Sequence, residues 1–200
     1  MITLVDYHAG NLASVRKAFA HLDCEVTITE DPDVVRRARH VIVPGVGHFA
    51  ATEQLTKAGL RDAVSEAIQQ GANFLGICVG MQWMFRDSTE APDVPGLGLI
   101  DATVERFPTG AKVPHVGWNT IASRGPSRIL KDVPSPSFVY YTHSYRAPLV
   151  TETVGATEYG SPFSGVVEKD NCFGVQFHPE KSGPAGLKIL ENFARLRTNG

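Results

Sequence analysis

A cysteine between two glycines is the first group in this sequence that could do covalent chemistry. Segment 74–82 starts as a short apolar run, which predicts a buried strand, and passes through Gly76-Ile77-Cys78-Val79-Gly80 into a helix-compatible segment, 81–85. That layout predicts a strand-to-helix elbow that holds a nucleophile on a strained turn, with glycines where a Cβ would clash. A helix start after Cys78 offers free N–H groups and a positive dipole end, which favour a thiolate. The alternative interpretation is a buried core cysteine.

A His-Pro-Glu corner is the second candidate. Segment 174–181 predicts a strand that runs into His178-Pro179-Glu180, where the proline limits flexibility. Residues two apart in an extended chain point to the same side, so His178 and Glu180 can be neighbours. A thiol nucleophile needs a base such as histidine, and a carboxylate can hold the tautomer of that histidine. Taken singly, the two residues could be an ordinary hydrogen-bonded histidine and a surface acid. Beside Cys78 they predict a catalytic triad.

Short apolar strands alternate with helices in the first half of the chain, and this alternation must position those groups. It predicts a parallel, doubly wound sheet, in which functional groups collect in loops at the carboxyl ends of the strands. The loops at Asp6, at 44–47 and at Cys78 fit that placement. The expected strands are 2–5, 25–29, 40–43 and 73–77, and the expected helices are 12–22, 32–37 and 60–70, the last closed by Gly71 as the C′ residue.

The pattern changes after residue 85. We expect a loop over 86–98, then short strands without intervening helices, and a final helix over 185–197. The expected strands are 102–107, 113–118, 138–144, 153–159, 165–168 and 172–177. The predicted fold class is therefore α/β, a mostly parallel doubly wound sheet with an added β-rich layer. Residues 1–200 are predicted to form a single domain.

Composition excludes several classes of function. The 200 residues are 42% hydrophobic and 20% charged with a formal net charge of −2, so nucleic acid is not an expected partner. The cluster 36–39, with three arginines, reads as a solvated helix face. The three cysteines are widely spaced and no C-x-x-C or H-x-x-x-H pair occurs, which argues against a disulfide framework and a metal site. We expect no cofactor. With no signal peptide and no membrane-spanning run, we expect a cytoplasmic protein.

The two candidate clusters resemble the class I (triad) glutamine amidotransferases. The resemblance is carried by Gly-Ile-Cys-Val-Gly-Met-Gln at 76–82 and Phe-His-Pro-Glu at 177–180. It implies a flavodoxin-like fold. Four further segments resemble the glutaminase subunits of imidazole glycerol phosphate synthase, and the order and spacing agree from residue 2 to about 195. These segments are 6–12, 44–49, 114–119 and 141–145.

The resemblance implies a reaction and the residues that carry it. Cys78 would attack the side-chain amide of L-glutamine to form a γ-glutamyl thioester and release ammonia, with His178 as acid and base and Glu180 orienting it. Backbone N–H groups of Val79 and of the loop 44–47 would bind the oxyanion. The resemblance places oxyanion and substrate binding at Gly45, Val46, Gly47, Val79, Gly80, Gln82, Thr142, His143, Ser144 and Tyr145.

The resemblance also implies a partner. Ammonia would pass to a cyclase subunit, a β/α barrel, in a heterodimer that makes imidazole glycerol phosphate and an aminoimidazole carboxamide ribotide in histidine biosynthesis. Asn11, Trp118 and Lys181 match family positions near that interface. Their alternative interpretations are a turn residue, a core aromatic and a solvated lysine.

Three positions depart from the family pattern. His8 stands where the family has glycine, Val79 where it has leucine and Thr142 where it has valine. The first matters if its loop needs a positive φ.

Other functions remain open. One is the glutaminase subunit of a different triad amidotransferase, for pyridoxal phosphate or anthranilate synthesis, against which Gly-Trp-Asn at 117–119 argues. A second is a non-catalytic scaffold subunit, against which the intact triad argues. A third is a thiol protease-like hydrolase built on the same elbow.

Overall fold

The computed structural model describes residues 1–198, which hold twelve strands and six helices. The strands are β1 (Ile2–Val5), β2 (Val26–Thr29), β3 (His40–Gly45), β4 (Asn73–Cys78), β5 (Phe85–Ser88), β6 (Ile100–Arg106), β7 (His115–Ser123), β8 (Ser137–His143), β9 (Tyr145–Arg146), β10 (Thr153–Tyr159), β11 (Ser161–Lys169) and β12 (Cys172–Val175). The helices are α1 (Leu12–His21), α2 (Pro32–Arg36), α3 (Glu53–Lys57), α4 (Leu60–Gln69), α5 (Val79–Gln82) and α6 (Gly183–Ala194), with 3-10 turns at Phe49–Thr52 and Pro179–Lys181.

Nine strands form the central sheet, in the order β2-β1-β3-β4-β12-β11-β10-β7-β8. The first five are parallel to one another, and β11 to β8 continue the sheet in antiparallel fashion. The predicted α/β class with a parallel, doubly wound part is confirmed. The β-rich half joins it in two ways, as an antiparallel extension of the same sheet and as a separate three-stranded sheet, β5-β6-β9.

The inner parallel strands, β1, β3, β4 and β12, are buried on both faces, whereas the edge strand β2 is only partly buried. Val41, Ile42 and Val43 are consecutive in β3 and are all fully buried, and β4 is buried throughout. Continuous burial is typical of parallel strands covered by helices on both sides. Helix α1 contacts α6, while α2 and α3 contact α4.

Because β1, β3, β4 and β12 are parallel neighbours, their carboxyl ends meet along one edge of the sheet. Ligands bind at this edge in open α/β folds.

The sequence led us to expect that strand β3 would end before Pro44, but it does not. It continues to Gly45, and Pro44 and Gly45 lie opposite Ile77 and Cys78 of β4. Proline is tolerated there because β1 pairs with β3 only as far as Ile42, which leaves Pro44 with one neighbouring strand, like an edge residue.

The expectation of a helix over 81–85 followed by a loop over 86–98 was wrong in part. Helix α5 ends at Gln82, and Phe85 opens β5, which pairs with β6. The helix ends early because of tertiary contacts. The carbonyls of Trp83, Met84 and Phe85 accept hydrogen bonds from N–H groups of residues 97–100, and these bonds override the local helical preference.

Other boundaries moved by a few residues. Strand β10 matches its predicted range, whereas β7 runs on to Ser123 and β11 begins at Ser161. Helix α6 begins at Gly183, earlier than predicted, because a proline is favoured in the first turn of a helix. Gly71 has a φ of +91° just past α4, as a C′ residue should.

Candidate active site

The structure shows a sharp elbow at Cys78. This residue ends β4 with φ +55° and ψ −109°, a strained conformation for a residue with a side chain, and α5 begins at the next residue. A Cβ on Gly80 would lie 1.8 Å from the carbonyl oxygen of Val43, and a Cβ on Gly76 would lie 2.4 Å from that of Gly80. Gly80 therefore lets the elbow pack against β3, and Gly76 lets α5 pack closely against β4.

His178 and Glu180 lie just after β12, in a turn that is hydrogen-bonded to the outer edge of β8. The His178 N–H donates to the Tyr140 carbonyl at 2.9 Å, and the Ser182 hydroxyl donates to the His178 carbonyl at 2.6 Å while accepting from the Tyr140 N–H at 2.9 Å. The imidazole Nδ1 lies 2.9 Å from Glu180 Oε1, and both side chains are buried. The carboxylate can therefore orient the ring, as predicted for this pair.

The surroundings of His178 favour its protonated form. Burial alone would lower the pKa of this imidazole, but Cys78 and the Glu180 carboxylate outweigh it and raise the pKa to about 10. Nε2 is buried and has no hydrogen-bond partner of acceptable geometry among residues 1–198. An imidazolium beside a sulfur anion can donate its proton to a departing amine.

A cavity of about 200 Å³ opens in front of Cys78. Of the predicted site residues, it brings together eight: Gly47, Cys78, Val79, Gln82, Thr142, His143, Ser144 and Tyr145. The other five predicted residues do not line this cavity: Gly45, Val46, Gly80, His178 and Glu180.

Gly45, the last residue of β3, is closely packed, whereas Gly47 in the loop that follows is not. A Cβ on Gly45 would come within 2.6 Å of the Val79 Cβ and 2.8 Å of the Tyr7 hydroxyl, whereas a Cβ on Gly47 would meet nothing within 4 Å. Gly47 also has a φ of +89°, and Val46 is exposed. Of the two glycines, Gly47 is the one that lines the cavity, and it is not packed against the elbow.

Three residues at the site were not predicted: Glu90, Pro114 and Gln176. Gln176 is fully buried; its Oε1 accepts from Gln82 Nε2 at 3.1 Å and its Nε2 donates to Cys78 Sγ at 3.8 Å. Its position in the predicted strand 172–177, two residues before His178, was a usable signal. Glu90 lines the cavity and accepts from the Phe49 N–H at 2.7 Å, but nothing local in the sequence marks it.

The departure at His8 is accommodated by the loop. His8 does have a positive φ, +63°, and its exposed ring lies 3.7 Å from Glu30 while its N–H donates to Asp6. The imidazole therefore sits in solvent and does not disturb the packing of the loop.

The three residues expected near a partner have exposed or terminal positions. Asn11 caps α1 by accepting from the Ser14 N–H at 3.3 Å. Trp118 is 56% exposed and edge-on to Tyr140, and the Lys181 ammonium lies 6.0 Å from the same Tyr140 ring. The core interpretation of Trp118 was wrong.

Within the described part of the chain, Cys24, Cys78 and Cys172 are free. None of the helices there is long and apolar enough to span a bilayer.

Comparison with known proteins gives a consistent result. The family model described as glutamine amidotransferase class-I matches residues 3–196. The subunit HisH of imidazole glycerol phosphate synthase from Moorella thermoacetica is 44% identical, over 98% of this chain and 94% of that protein. The protein of the same name from Thermococcus kodakarensis is 43% identical, over 98% of this chain and 100% of that one.

Solved structures show the same fold at lower identity. A glutamine amidotransferase crystal structure superposes with a TM-score of 0.76 at 18% identity, covering 97% of this chain and 100% of that chain. A putative GMP synthase subunit from Thermoplasma acidophilum superposes with a TM-score of 0.70 at 20% identity, covering 96% of this chain and 90% of that chain. At such identities the likeness describes the fold alone.

Proposed function

Because the chain belongs to the class-I glutamine amidotransferase family, we propose that it is the glutaminase subunit of an imidazole glycerol phosphate synthase. It hydrolyses L-glutamine to L-glutamate and supplies the ammonia to a cyclase subunit in histidine biosynthesis. The observation that carries the proposal is a buried His178–Glu180 pair close to an elbow cysteine, in a chain more than 40% identical over nearly its full length to proteins named as that subunit.

The proposed reaction uses Cys78 as nucleophile. The thiolate sulfur attacks the side-chain carbonyl carbon of glutamine, and the oxyanion is met by the N–H of Val79 and by one N–H of the loop 45–47. His178 gives its proton to the departing nitrogen, which leaves as ammonia with a γ-glutamyl thioester on sulfur. His178 then takes a proton from water, the resulting hydroxide attacks the thioester, and glutamate leaves as the thiolate is restored. Glu180 holds the ring through both steps.

The cavity offers groups for the amino-acid end of glutamine. Both N–H bonds of the Gln82 amide are used by Tyr145 and Gln176, so its Oε1 is the polar atom left to accept from a ligand. Glu90 supplies a carboxylate at the same wall, which suits an ammonium group. We assign the remainder of the wall, at Thr142, His143, Ser144 and Tyr145, to the substrate backbone.

A conservative change at Glu90 should separate binding from chemistry. Glu90→Gln keeps an oxygen for the Phe49 N–H but removes the charge, so we expect the KM for glutamine to rise by about 10- to 100-fold with kcat within threefold. Glutaramate, which lacks the α-ammonium group, should be handled alike by both proteins. Asp93→Asn, an exposed change nearby, is the control; an unaltered KM for Glu90→Gln would contradict the assignment.

The partner surface is proposed on the face of β7 and β8. Val116, Trp118 and Phe138 are large apolar side chains that are more than half exposed, and Lys181 lies beside them over Tyr140. Exposed apolar side chains grouped in this way are typical of an interaction site. We propose that a cyclase barrel covers this face in a heterodimer, with Asn11 and Lys181 at its rim.

Location and organisation follow from the same proposal. Three free cysteines suit a reducing cytoplasm, where the pathway would operate. The family match over 3–196 supports a single domain over residues 1–200.

We further propose that the glutaminase is nearly silent until the cyclase and its nucleotide ligand are bound. The oxyanion loop must turn a backbone N–H toward the cavity, and its free end at Gly47 has the space and the backbone freedom to do so. Partner binding would select the turned conformation.

The test measures glutamate release from glutamine by the chain alone and with a cyclase plus its ribotide ligand. Cys78→Ala is the control. Activity that appears only in the loaded complex and is absent from the control is the expected result. Equal activity without a partner would point to another amidotransferase, and no activity under either condition would favour a non-catalytic subunit.

A further inference from the structure

Two buried histidines outside the triad form a pair at the cavity wall: His143 lines the cavity, and His115 does not. His115 of β7 and His143 of β8 are opposite each other in the sheet, and Nδ1 of the first is 3.0 Å from Nε2 of the second. Both are almost completely buried. Burying two imidazoles costs free energy unless their nitrogens are hydrogen-bonded. The hydrogen-bond partners of the four ring nitrogens therefore indicate the role of the pair.

The directions of these hydrogen bonds are fixed by chemistry. His143 Nδ1 lies 2.8 Å from the Tyr145 carbonyl oxygen, which can only accept, so Nδ1 carries the proton. Burial lowers the pKa of His143 to about 3 and that of His115 to about 4, so both rings are neutral at pH 7. His143 Nε2 therefore accepts, and His115 Nδ1 must donate.

On the side away from the cavity, this hydrogen-bond network ends at the side-chain amide of Asn119. His115 Nε2 accepts from Asn119 Nδ2 at 3.3 Å. The amide cannot turn over, because its Nδ2 also donates to the Glu158 carbonyl at 3.0 Å and its Oδ1 accepts from the Thr120 N–H at 2.7 Å. The His115 ring stacks on Tyr159, with the ring centres 3.9 Å apart.

On the side of His143, the hydrogen-bond network extends to Cys78. The Tyr145 carbonyl that accepts from His143 also accepts from Gln82 Nε2 at 2.9 Å. The second N–H of Gln82 donates to Gln176 Oε1, and Gln176 in turn donates to Cys78 Sγ. An unbroken set of hydrogen bonds thus joins Asn119 to the sulfur.

We propose that His115 and His143 are positioning residues for Cys78, which hold the Tyr145 carbonyl, Gln82 and Gln176 so that an amide N–H faces the sulfur. A hydrogen bond to a thiolate is stronger than one to a thiol, so this arrangement stabilises the attacking form. An apolar pair of similar size would fill the same space without the desolvation cost, but would leave the Tyr145 carbonyl held by Gln82 alone. The inference rests on the proposed function for its kinetic readout only.

The first test is spectroscopic and needs no activity. Nitrogen NMR of the intact chain should show both rings as neutral Nδ1–H tautomers that do not titrate between pH 7 and pH 5. An Nε2–H tautomer in either ring, or titration near the ordinary histidine value, would overturn the proposal.

The second test uses a matched pair at His115, which does not line the cavity. His115→Asn keeps a donor at the Nδ1 position, and His115→Leu removes it. Iodoacetamide alkylation of Cys78 at pH 7, followed by peptide mapping, and glutamine kinetics of the complex with the cyclase are the readouts. For His115→Leu we expect both the alkylation rate and kcat to fall about five- to tenfold with KM within twofold, and His115→Asn to recover at least half of the loss.

Thr153→Val is the control for simple loss of a buried hydrogen bond. The Thr153 hydroxyl is hydrogen-bonded to the Ser164 hydroxyl at 2.6 Å in the same β-rich region, outside the network. Cys78 in Thr153→Val should therefore be alkylated at the same rate as Cys78 in the parent. Parent-like alkylation and kcat in His115→Leu would refute the positioning role, as would an asparagine variant no better than the leucine one. If the parent itself hydrolyses no glutamine, the proposed function fails, and the tautomer and alkylation results still decide this inference.

Discussion

Replacing Glu180 with glutamine should lower kcat for glutamine hydrolysis by about 10³- to 10⁴-fold while the chain stays folded. The carboxylate holds Nδ1–H of His178 at 2.9 Å and contributes to the raised pKa of that ring. An amide can rotate to present N–H instead, which selects the wrong tautomer; the corresponding change in a serine protease triad costs about 10⁴ in kcat. Because the two side chains are similar in size, little packing should be lost.

The measurement is steady-state glutamine hydrolysis by the cyclase complex, with an NMR titration of His178. The pKa of His178 should fall below the value of about 10 in the parent, since one of the charges that raises it is gone. Exposed Glu25 provides the control, and Glu25→Gln should be as active as the parent. A Glu180→Gln protein with activity within tenfold of the parent would show that the carboxylate does not orient the base.

Replacing Gly80 with alanine should lower the free energy of unfolding by more than about 3 kcal/mol. The added Cβ would sit 1.8 Å from the Val43 carbonyl oxygen, which belongs to the backbone of a fully buried strand and cannot move aside as a flexible side chain would. The elbow must then shift away from β3, and Cys78 with it. We expect the melting temperature to fall by roughly 6 to 12 °C.

Gly125→Ala is the matched control for this substitution. A Cβ on Gly125 would meet no atom within 4 Å, so the change should alter stability by no more than about 0.5 kcal/mol. Thermal unfolding followed by circular dichroism compares the three proteins. Equal melting temperatures for Gly80→Ala and the parent would mean that the elbow is not packed as described.

The elbow and the sheet that carries it could be predicted because their signals are local. The apolar run before Cys78, its flanking glycines and the alternation of strands with helices each depend on neighbouring residues. Strand β5 could not be predicted this way, since it forms only by pairing with residues 100–104 of β6. The prolines and glycines of 86–98 suggested a loop instead.

The wall of the cavity depends on pairing between distant segments, which no local pattern encodes. His115 meets His143 only through the register of β7 and β8, and Glu90 reaches the site through its hydrogen bond to Phe49. The roles assigned to Cys78, His178 and Glu180 remain predictions until they are measured. Their placement needed two motifs about 100 residues apart to converge, and the adjacency of β4 and β12 explains how they do.

The contacts between β8 and the turn at His178 have a consequence for aggregation. Strand β8 is the last strand of the nine, and an open strand edge is a template for pairing with other chains. At Tyr140 that edge is covered by the backbone of His178 and the hydroxyl of Ser182, so the segment that carries the base also caps the sheet. A substitution that detaches this segment would bare a strand edge next to exposed Phe138 and Trp118. Such a chain would be lost to self-association as well as inactive, so the loss of soluble protein would accompany the loss of catalysis.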